Sequence, residues 1–541
     1  MKDISSTGSF VDFTLENFIY VDKTVYIPQL VKLKRVFISR PRRFGKSLTL
    51  DTIATLFETG VEPYFKGTWI YDKWTEPTYP VLRLNFLDLD KYSLEHFKQK
   101  LNAIISSFAR DINVKNYEEK VEPEDTIYFL LDELRKEKRQ IVILIDEYDC
   151  QMTANINNET LYKQFHEKIK SFYANIKNKW PIKFLGITGV TRLKDVEIFS
   201  VGSDINDITN DSVYSQMIGF TRDEIKKYYI DYLKLASSYE NNCSVDDVTD
   251  TQLESMLDMM AQNYDGYCFD EDYEKKVFST WSVNKFFQTM IEKKKVQFGE
   301  YWYDNGGLPS ILVNYLKTHE LNIFEYLDKD KFLKVSSDDF KNPTALTTIN
   351  QNVLMCQTGY LTLRSDLNKT STVALGIPNG EIYKALNRLL ANNIFKGNTD
   401  ITDDYGRSLL EVGTVDDIIN LFNSALNSVS YDNYPIVSES SVQNMLKLYL
   451  LGAHQEVLSE VHEAKGRADL VVNTDNRRIV FEFKYAKNEV EAKSKLSEAV
   501  EQIKTRDYGN ILPKKNELIR IAAVFNADPK VRAFTENQIV P

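Results

Sequence analysis

Cysteine is scarce in this 541-residue sequence. Four residues, at 150, 243, 268 and 356, show no paired metal-binding spacing and no disulfide framework. That excludes a disulfide-stapled scaffold and fits a reducing compartment. No run approaches the ~18 apolar residues of a membrane span. The opening MKDISSTGSF also lacks the basic-then-apolar architecture of a secretory leader. A cytoplasmic protein without membrane contact is the expectation. Low-complexity tracts and a clear internal repeat are missing as well. So is an excess of positive charge: the net charge of −11 argues against a protein that coats nucleic acid through charge alone, while leaving room for a local basic site. What is present is an ordinary globular composition in a chain too long for one hydrophobic core, so several domains are expected.

The most informative stretch is Val36-Phe37-Ile38-Ser39-Arg40-Pro41-Arg42-Arg43-Phe44-Gly45-Lys46-Ser47. A short apolar run ends in a basic loop, and Leu50, Ile53, Ala54 and Phe57 then mark one face of a helix. Strand, loop and helix in that order form a phosphate-binding device. Backbone N–H groups and a helix N-terminus face an anion, Lys46 adds a positive charge, and the Ser47 hydroxyl can take magnesium. Arg43, Phe44, Gly45, Lys46, Ser47 and Leu48 are the candidate phosphate-contacting residues. The match to G-x-x-x-x-G-K-[ST] is imperfect, because Arg40 stands at the first glycine and Pro41 removes one N–H donor.

Two further apolar runs end in polar tips. Ile141 to Ile145 close on Asp146-Glu147, and Ile182 to Val190 carry Thr188 just before Thr191 and Arg192. With helical patterns between them, these runs predict a parallel sheet buried on both faces, with its ligand at the carboxyl ends of the strands. The three tips would share that edge. Asp146 would hold magnesium, Glu147 would orient the water that attacks a γ-phosphate, Thr188 or Thr191 would sense that phosphate, and Arg192 would neutralise its charge.

From about residue 220 the pattern turns helical, with Thr221 and Glu224 spaced as a capping box. The clusters at Asn263 to Tyr267 and Trp281 to Val283 read as turn and core elements. Near the C-terminus, Gly466 to Val472 and Arg478 to Lys484 read as a hairpin, followed by a helix bearing Gln502 and ending near Tyr508. Glu482 and Lys484 share one face of the second strand, and Phe481 and Phe483 the other. Asp469 and Glu482 can converge on a hard cation, and Lys484 can position a nucleophile or stabilise a phosphoryl transition state.

Together the segments YVDKT, RPRRFGKS, LIDEYD, ITGVTR and YDGY resemble the bacterial AAA-ATPase-like family, a branch of P-loop ATPases near the STAND and archaeal ATPase groups. The segment GRADLVV, FEFK and EQI resembles the PD-(D/E)XK nuclease domain often fused to it. In that family the RPRRFGK[ST] loop is a trait, so Arg40 is no sign of decay. The resemblance implies an α/β chain: a P-loop NTPase parallel sheet at 1–220, a mostly helical lid or linker at 221–430, and a small restriction-endonuclease-like α/β domain at 431–541. It implies magnesium-ATP on Lys46, Ser47 and Asp146, with Glu147 as catalytic base. It also implies a magnesium- or manganese-dependent nuclease on Asp469, Glu482 and Lys484, with Glu439 as an extra metal-side acid and Gln502 in support. Ala468 replaces the proline of the eponymous motif.

The leading expectation is an ATPase that controls a nuclease acting on nucleic acid, DNA in the first place, with a second copy of the chain as a further partner. The alternatives are a STAND-like ATP switch whose nuclease fold serves only binding, and a constitutive nuclease with a vestigial ATPase. Residues 431–541 carry 16 basic and 16 acidic residues, so the negative charge lies elsewhere. Phosphates would be repelled less there.

Overall fold

The computed structural model describes residues 1–177, 179–193, 204–304, 310–316, 323–343, 345–395, 405–453, 456–463, 466–509 and 517–541. They form two compact units, Met1–Glu320 with Phe332–Ile382, and Leu321–Lys331 with Tyr383–Pro541. No described helix is long and apolar enough to cross a membrane.

The first unit is built on a parallel sheet of five strands: β1 (Arg35–Ser39), β2 (Val81–Asn85), β3 (Ile141–Asp146), β4 (Ile182–Gly189) and β5 (Asn206–Asp207), in the order β2-β3-β4-β1-β5. Every residue of β1 and β3 is buried. Their apolar runs therefore do not alternate, as expected where helices cover both faces of a sheet. Strand β4 lies between β1 and β3, with Ile38 opposite Thr188 and Ile145 opposite Ile187. This register levels the polar tips of all three strands at one edge.

The helical region after residue 220 begins as its sequence predicts. Thr221 accepts from Glu224 N, and the Glu224 side chain accepts from Thr221 N, closing the capping box. Helices Ile230–Asn241, Asp250–Tyr264 and Thr280–Lys293 pack around Leu233, Leu257, Met260, Phe286 and Phe287. Ile19 and Val21 belong to the same core. The expected borders at 220 and 430 thus do not coincide with the division into units: this helical layer shares its apolar core with the segment before the sheet, and the units part near residue 382. A small antiparallel sheet of β6 (Leu333–Ser336), β7 (Thr362–Leu363) and β8 (Thr372–Gly376), in the order β6-β8-β7, completes the first unit.

The helical layer also packs on the loop after β1. Phe44 meets Tyr267, Phe269 and Trp302 edge to face, with ring centroids 4.7, 5.4 and 6.0 Å away. Trp302 is fully buried, and its backbone N–H donates to the Glu381 carboxylate at 2.7 Å. Ser282 Oγ donates to the other carboxylate oxygen at 2.7 Å.

The second unit holds the five-stranded sheet β13-β12-β11-β10-β9, from β9 (Glu456–Glu463), β10 (Gly466–Asn473), β11 (Arg477–Ala486), β12 (Glu517–Asn526) and β13 (Ala533–Ile539). The predicted hairpin is present as antiparallel β10 and β11. Strand β12 runs parallel to β11, joined to it through helix Glu489–Arg506. That helix packs Ala499 and Ile503 against Val471, Val480 and Ala522.

Two stability predictions follow from this packing. A Cβ on Gly189 would overlap the ring of Tyr148 and the carboxylate of Asp149. Tyr148 is fully buried and its hydroxyl donates to Thr191 O at 3.1 Å, so the ring has no room to yield. Gly189→Ala should cost about 1–3 kcal/mol in urea unfolding. Burial pushes the Glu381 carboxyl up from 4.5 to about 8, despite the donors from Ser282 and Trp302. The folded state therefore holds this proton more tightly than the unfolded chain, and its contribution to stability is lost as pH rises from about 4.5 towards 8. Glu381→Gln should be more stable than the parent at pH 9, with the gap closing towards pH 5, as followed by thermal unfolding.

Candidate nucleotide and metal sites

Helix Lys46–Thr59 begins at the level edge of the first sheet. Its N-cap is Gly45 in the left-handed region (φ 104°), with no side-chain cap. The first N–H groups of a helix have no partner within it and can face an anion. Arg43 is also left-handed (φ 67°), and the loop takes its tight turn from these two residues. Arg43 stacks over Trp281 at 4.5 Å and donates to Tyr301 O at 3.1 Å, while its own carbonyl accepts from Thr280 Oγ1 at 2.9 Å.

Lys46 is 4% exposed, and its ammonium donates to the carbonyls of Arg40 and Pro41 at 3.1 and 3.2 Å. Glu147 Oε1 lies 3.6 Å from it. Glu147 sits at φ 50°, a conformation few non-glycine residues adopt. Asp146 collects three donors: Ser47 Oγ at 2.6 Å, Glu147 N at 2.9 Å and Thr188 Oγ1. The structure thus brings Ser47, Asp146 and Thr188 into direct contact, with Lys46 and Glu147 beside them.

Thr191 and Arg192 are placed elsewhere. Thr191 donates from its hydroxyl and its N–H to Asp149 at 2.5 and 2.7 Å. Asp149 is buried, and burial together with the nearby Glu147 raises its pKa. Arg192 is ion-paired with Asp207 and lines a small cavity beside Arg40, apart from the one that Lys46 lines. Thr188 is therefore the threonine at the candidate nucleotide site.

A cavity of about 400 Å³ opens from the loop. Arg43 to Leu48 and Glu147 line one end, and Tyr20, Ile218, Phe220 and Trp281 line the rest. This is a size that small-molecule sites commonly have. Trp281, which the sequence reads as a core or turn element, packs on the helical core, lies under the Arg43 guanidinium and also lines this cavity. The one available signal for Tyr20 to Lys23 was the YVDKT segment. Two hard oxygen donors 2.6 Å apart, Ser47 Oγ and Asp146 Oδ2, suit magnesium, and the uncapped helix with Lys46 suits phosphate.

In the second unit, Asp469 stands one residue beyond the pair Leu470–Phe481, facing Glu482 on the next strand. Asp469 Oδ2 accepts from Phe483 N at 2.8 Å, and Gln443 donates to the Asp469 carbonyl. Lys484 Nζ donates to Glu482 Oε1 at 2.7 Å and to Glu439 Oε1 at 3.3 Å. Phe481 and Phe483 stack on the opposite face, with centroids 5.5 Å apart. The structure brings Asp469, Glu482 and Lys484 together, and Glu439 joins them through Lys484. Gln502 is not among them and donates to the Tyr508 hydroxyl at 3.3 Å.

Glu482 is fully buried, and its Oε2 has no hydrogen-bond partner among the described residues. Burial, then the charge of Asp469, pushes its carboxyl up to about 7. Burial also raises Asp469, against the Phe483 N–H. For Lys484 burial acts downward, but Glu482, Glu439 and Asp469 together raise its pKa. Two adjoining carboxylates, one with an oxygen left over, fit a divalent cation. No group of three His, Cys, Asp or Glu arranged to hold a metal occurs among the described residues.

Comparison with known proteins agrees with this division. Residues 5–199 match a family model described as predicted AAA-ATPase. Residues 437–535 match that of the PD-(D/E)XK nuclease superfamily. A protein of Azotobacter chroococcum mcd 1, named only as an uncharacterized protein in the vnfD 5′ region, is 26% identical over 533 residues, covering 95% of this chain and 94% of its own. Among solved structures, Cdc6p of Pyrobaculum aerophilum and the ORC2 protein of Aeropyrum pernix each cover 68% of this chain and 91% of their own at 11% identity. Their TM-scores of 0.21 and 0.28 are too low to bear on function. The chain carries an AAA-ATPase-like region followed by a PD-(D/E)XK nuclease-superfamily region.

Proposed function

We propose that the chain binds and hydrolyses magnesium-ATP at the Lys46 loop, and that nucleotide state governs a metal-dependent nuclease centred on Asp469, Glu482 and Lys484. The observation that carries the first half is the Ser47–Asp146 contact at 2.6 Å, with Lys46 and Glu147 lining the same cavity. When bound, magnesium would neutralise charge on the phosphates. Ser47 and Asp146 would hold the cation. Lys46 gives up two loop carbonyls for the phosphates, and Glu147 orients the attacking water. Thr188 keeps Asp146 in place from the neighbouring strand. Tyr20 and Trp281 supply flat apolar surface for a base.

The second half rests on the free oxygen of Glu482 beside Asp469. Magnesium or manganese there would lower the pKa of a bound water and neutralise a phosphodiester. Asp469 and Glu482 would hold the cation, and Lys484 would stabilise charge at the phosphoryl group, with Glu439 helping to orient it. DNA is the substrate we assign, acted on in the cytoplasm.

Cleavage of supercoiled and linear DNA with magnesium, with and without ATP, tests both halves. Lys46→Ala should lower ATP hydrolysis by roughly 10²–10³, and Lys484→Ala should lower cutting by a similar factor while hydrolysis survives. Cutting by Lys484→Ala at the parent rate would remove the nuclease assignment. Cutting indifferent to both ATP and Lys46→Ala would remove the control.

A further inference from the structure

The first sheet has a second edge, opposite the phosphate loop. Arg35 opens β1, Gln140 directly precedes β3 and Ile182 opens β4, so the amino ends of three neighbouring parallel strands meet there. A groove of about 750 Å³ runs beneath them, walled also by helix Ile27–Leu33 and by the chain that leads to β2. It carries flat apolar surface. Trp74 and Trp180, two of the five tryptophans in the chain, line it, and Trp180 is 55% exposed. Gln140 Nε2 donates to Trp180 O at 3.0 Å, which ties the backbone of this residue to the end of β3. A large ring fixed at its base and left mostly in water is a feature of binding surfaces.

The charges around this groove do not balance. Lys32, Lys34, Arg35, Lys73 and Lys183 line it against two acids, Glu76 and Asp204. Both acids are taken. Glu76 lies 2.6 Å from Lys183 Nζ, and Asp204 lies 2.9 Å from Arg35 Nη1. Lys73 donates to Trp69 O at 3.0 Å and lies over the Trp69 ring, both of them neutral partners. Lys32 and Lys34 are exposed and make no ion pair or side-chain hydrogen bond among the described residues. Three positive charges are left over at this edge, in a chain whose net charge is −11.

We propose that this groove binds single-stranded nucleic acid, with phosphates against Lys32, Lys34 and Lys73 and a base stacked on Trp180. Single strands are held by positive grooves that carry aromatic platforms, because each nucleotide brings one negative charge and each base a flat face. An acidic peptide would satisfy the lysines and leave the indole in water. A duplex keeps its bases stacked on one another and would leave it too. The inference goes beyond the ATP and nuclease reading: it assigns a nucleic-acid contact to the first unit and uses no residue of either site.

Fluorescence anisotropy of a labelled oligothymidine of about 15 nucleotides, titrated with the full chain in EDTA, tests it without cleavage. Trp180→Ala should weaken binding roughly tenfold or more. Lys32→Gln with Lys34→Gln should flatten the slope of log K against log salt by about 1.4, since a single strand contributes ~0.7 to the slope for each phosphate neutralised. All three side chains are exposed, and unchanged thermal unfolding confirms that the variants fold. A parent that does not bind the strand, or variants that keep the parent affinity and slope, would overturn the proposal. So would polyglutamate that displaces the strand as well as unlabelled oligothymidine of equal charge does. Cutting is not read here, so the result is independent of the Lys484→Ala cleavage assay. Binding that is lost in Lys484→Ala and kept in the groove variants would move the contact to the second unit and also overturn the proposal.

Discussion

Asp146 fixes the geometry on which the first unit depends. Its carboxylate accepts from Ser47 on the loop helix, from Thr188 on β4 and from Glu147 N at its own strand end. Three segments about a hundred residues apart in sequence, or forty-odd, are thereby held at one point of the sheet edge. The parallel register makes this possible, because β4 lies between β1 and β3 and levels Thr188 with Ile38. A carboxylate with this many donors is held in one orientation at the strand end.

The loop that Asp146 serves is held from its other side by residues far along the chain. Phe44 inserts among Tyr267, Phe269 and Trp302, and Arg43 is clasped between Trp281 and Tyr301 O. Gly359 belongs to the same packing, since a Cβ there would press on Pro41 and Trp302. The phosphate loop is thus packed into the helical layer, and displacing one disturbs the other. Under the proposed function, this packing is the route by which a bound nucleotide would reach the helical layer.

The sequence made the doubly buried strands easy to see. Five apolar residues before Asp146-Glu147 admit few other readings, and β10 and β11 show clear turn residues between them. Other features depend on partners that carry no local pattern. Strand β12 pairs parallel to β11 across a whole helix, so its neighbour could not be read from spacing. The choice between Thr188 and Thr191 was decided by Asp149, a buried acid that only the fold brings to Thr191. Arg192 looked free to meet a phosphate until β5 supplied Asp207. Trp281 read as a core or turn element and does pack on the helical core, but its place in the cavity wall is visible only once the fold brings it to Arg43.

Hydrogen exchange with and without magnesium and a non-hydrolysable ATP analogue tests the central claim most directly. If the loop and the helical layer respond as one packed body, nucleotide should slow exchange in residues 42–52 and also in 279–302. Slowing confined to 42–52, or absent from both, would contradict the account.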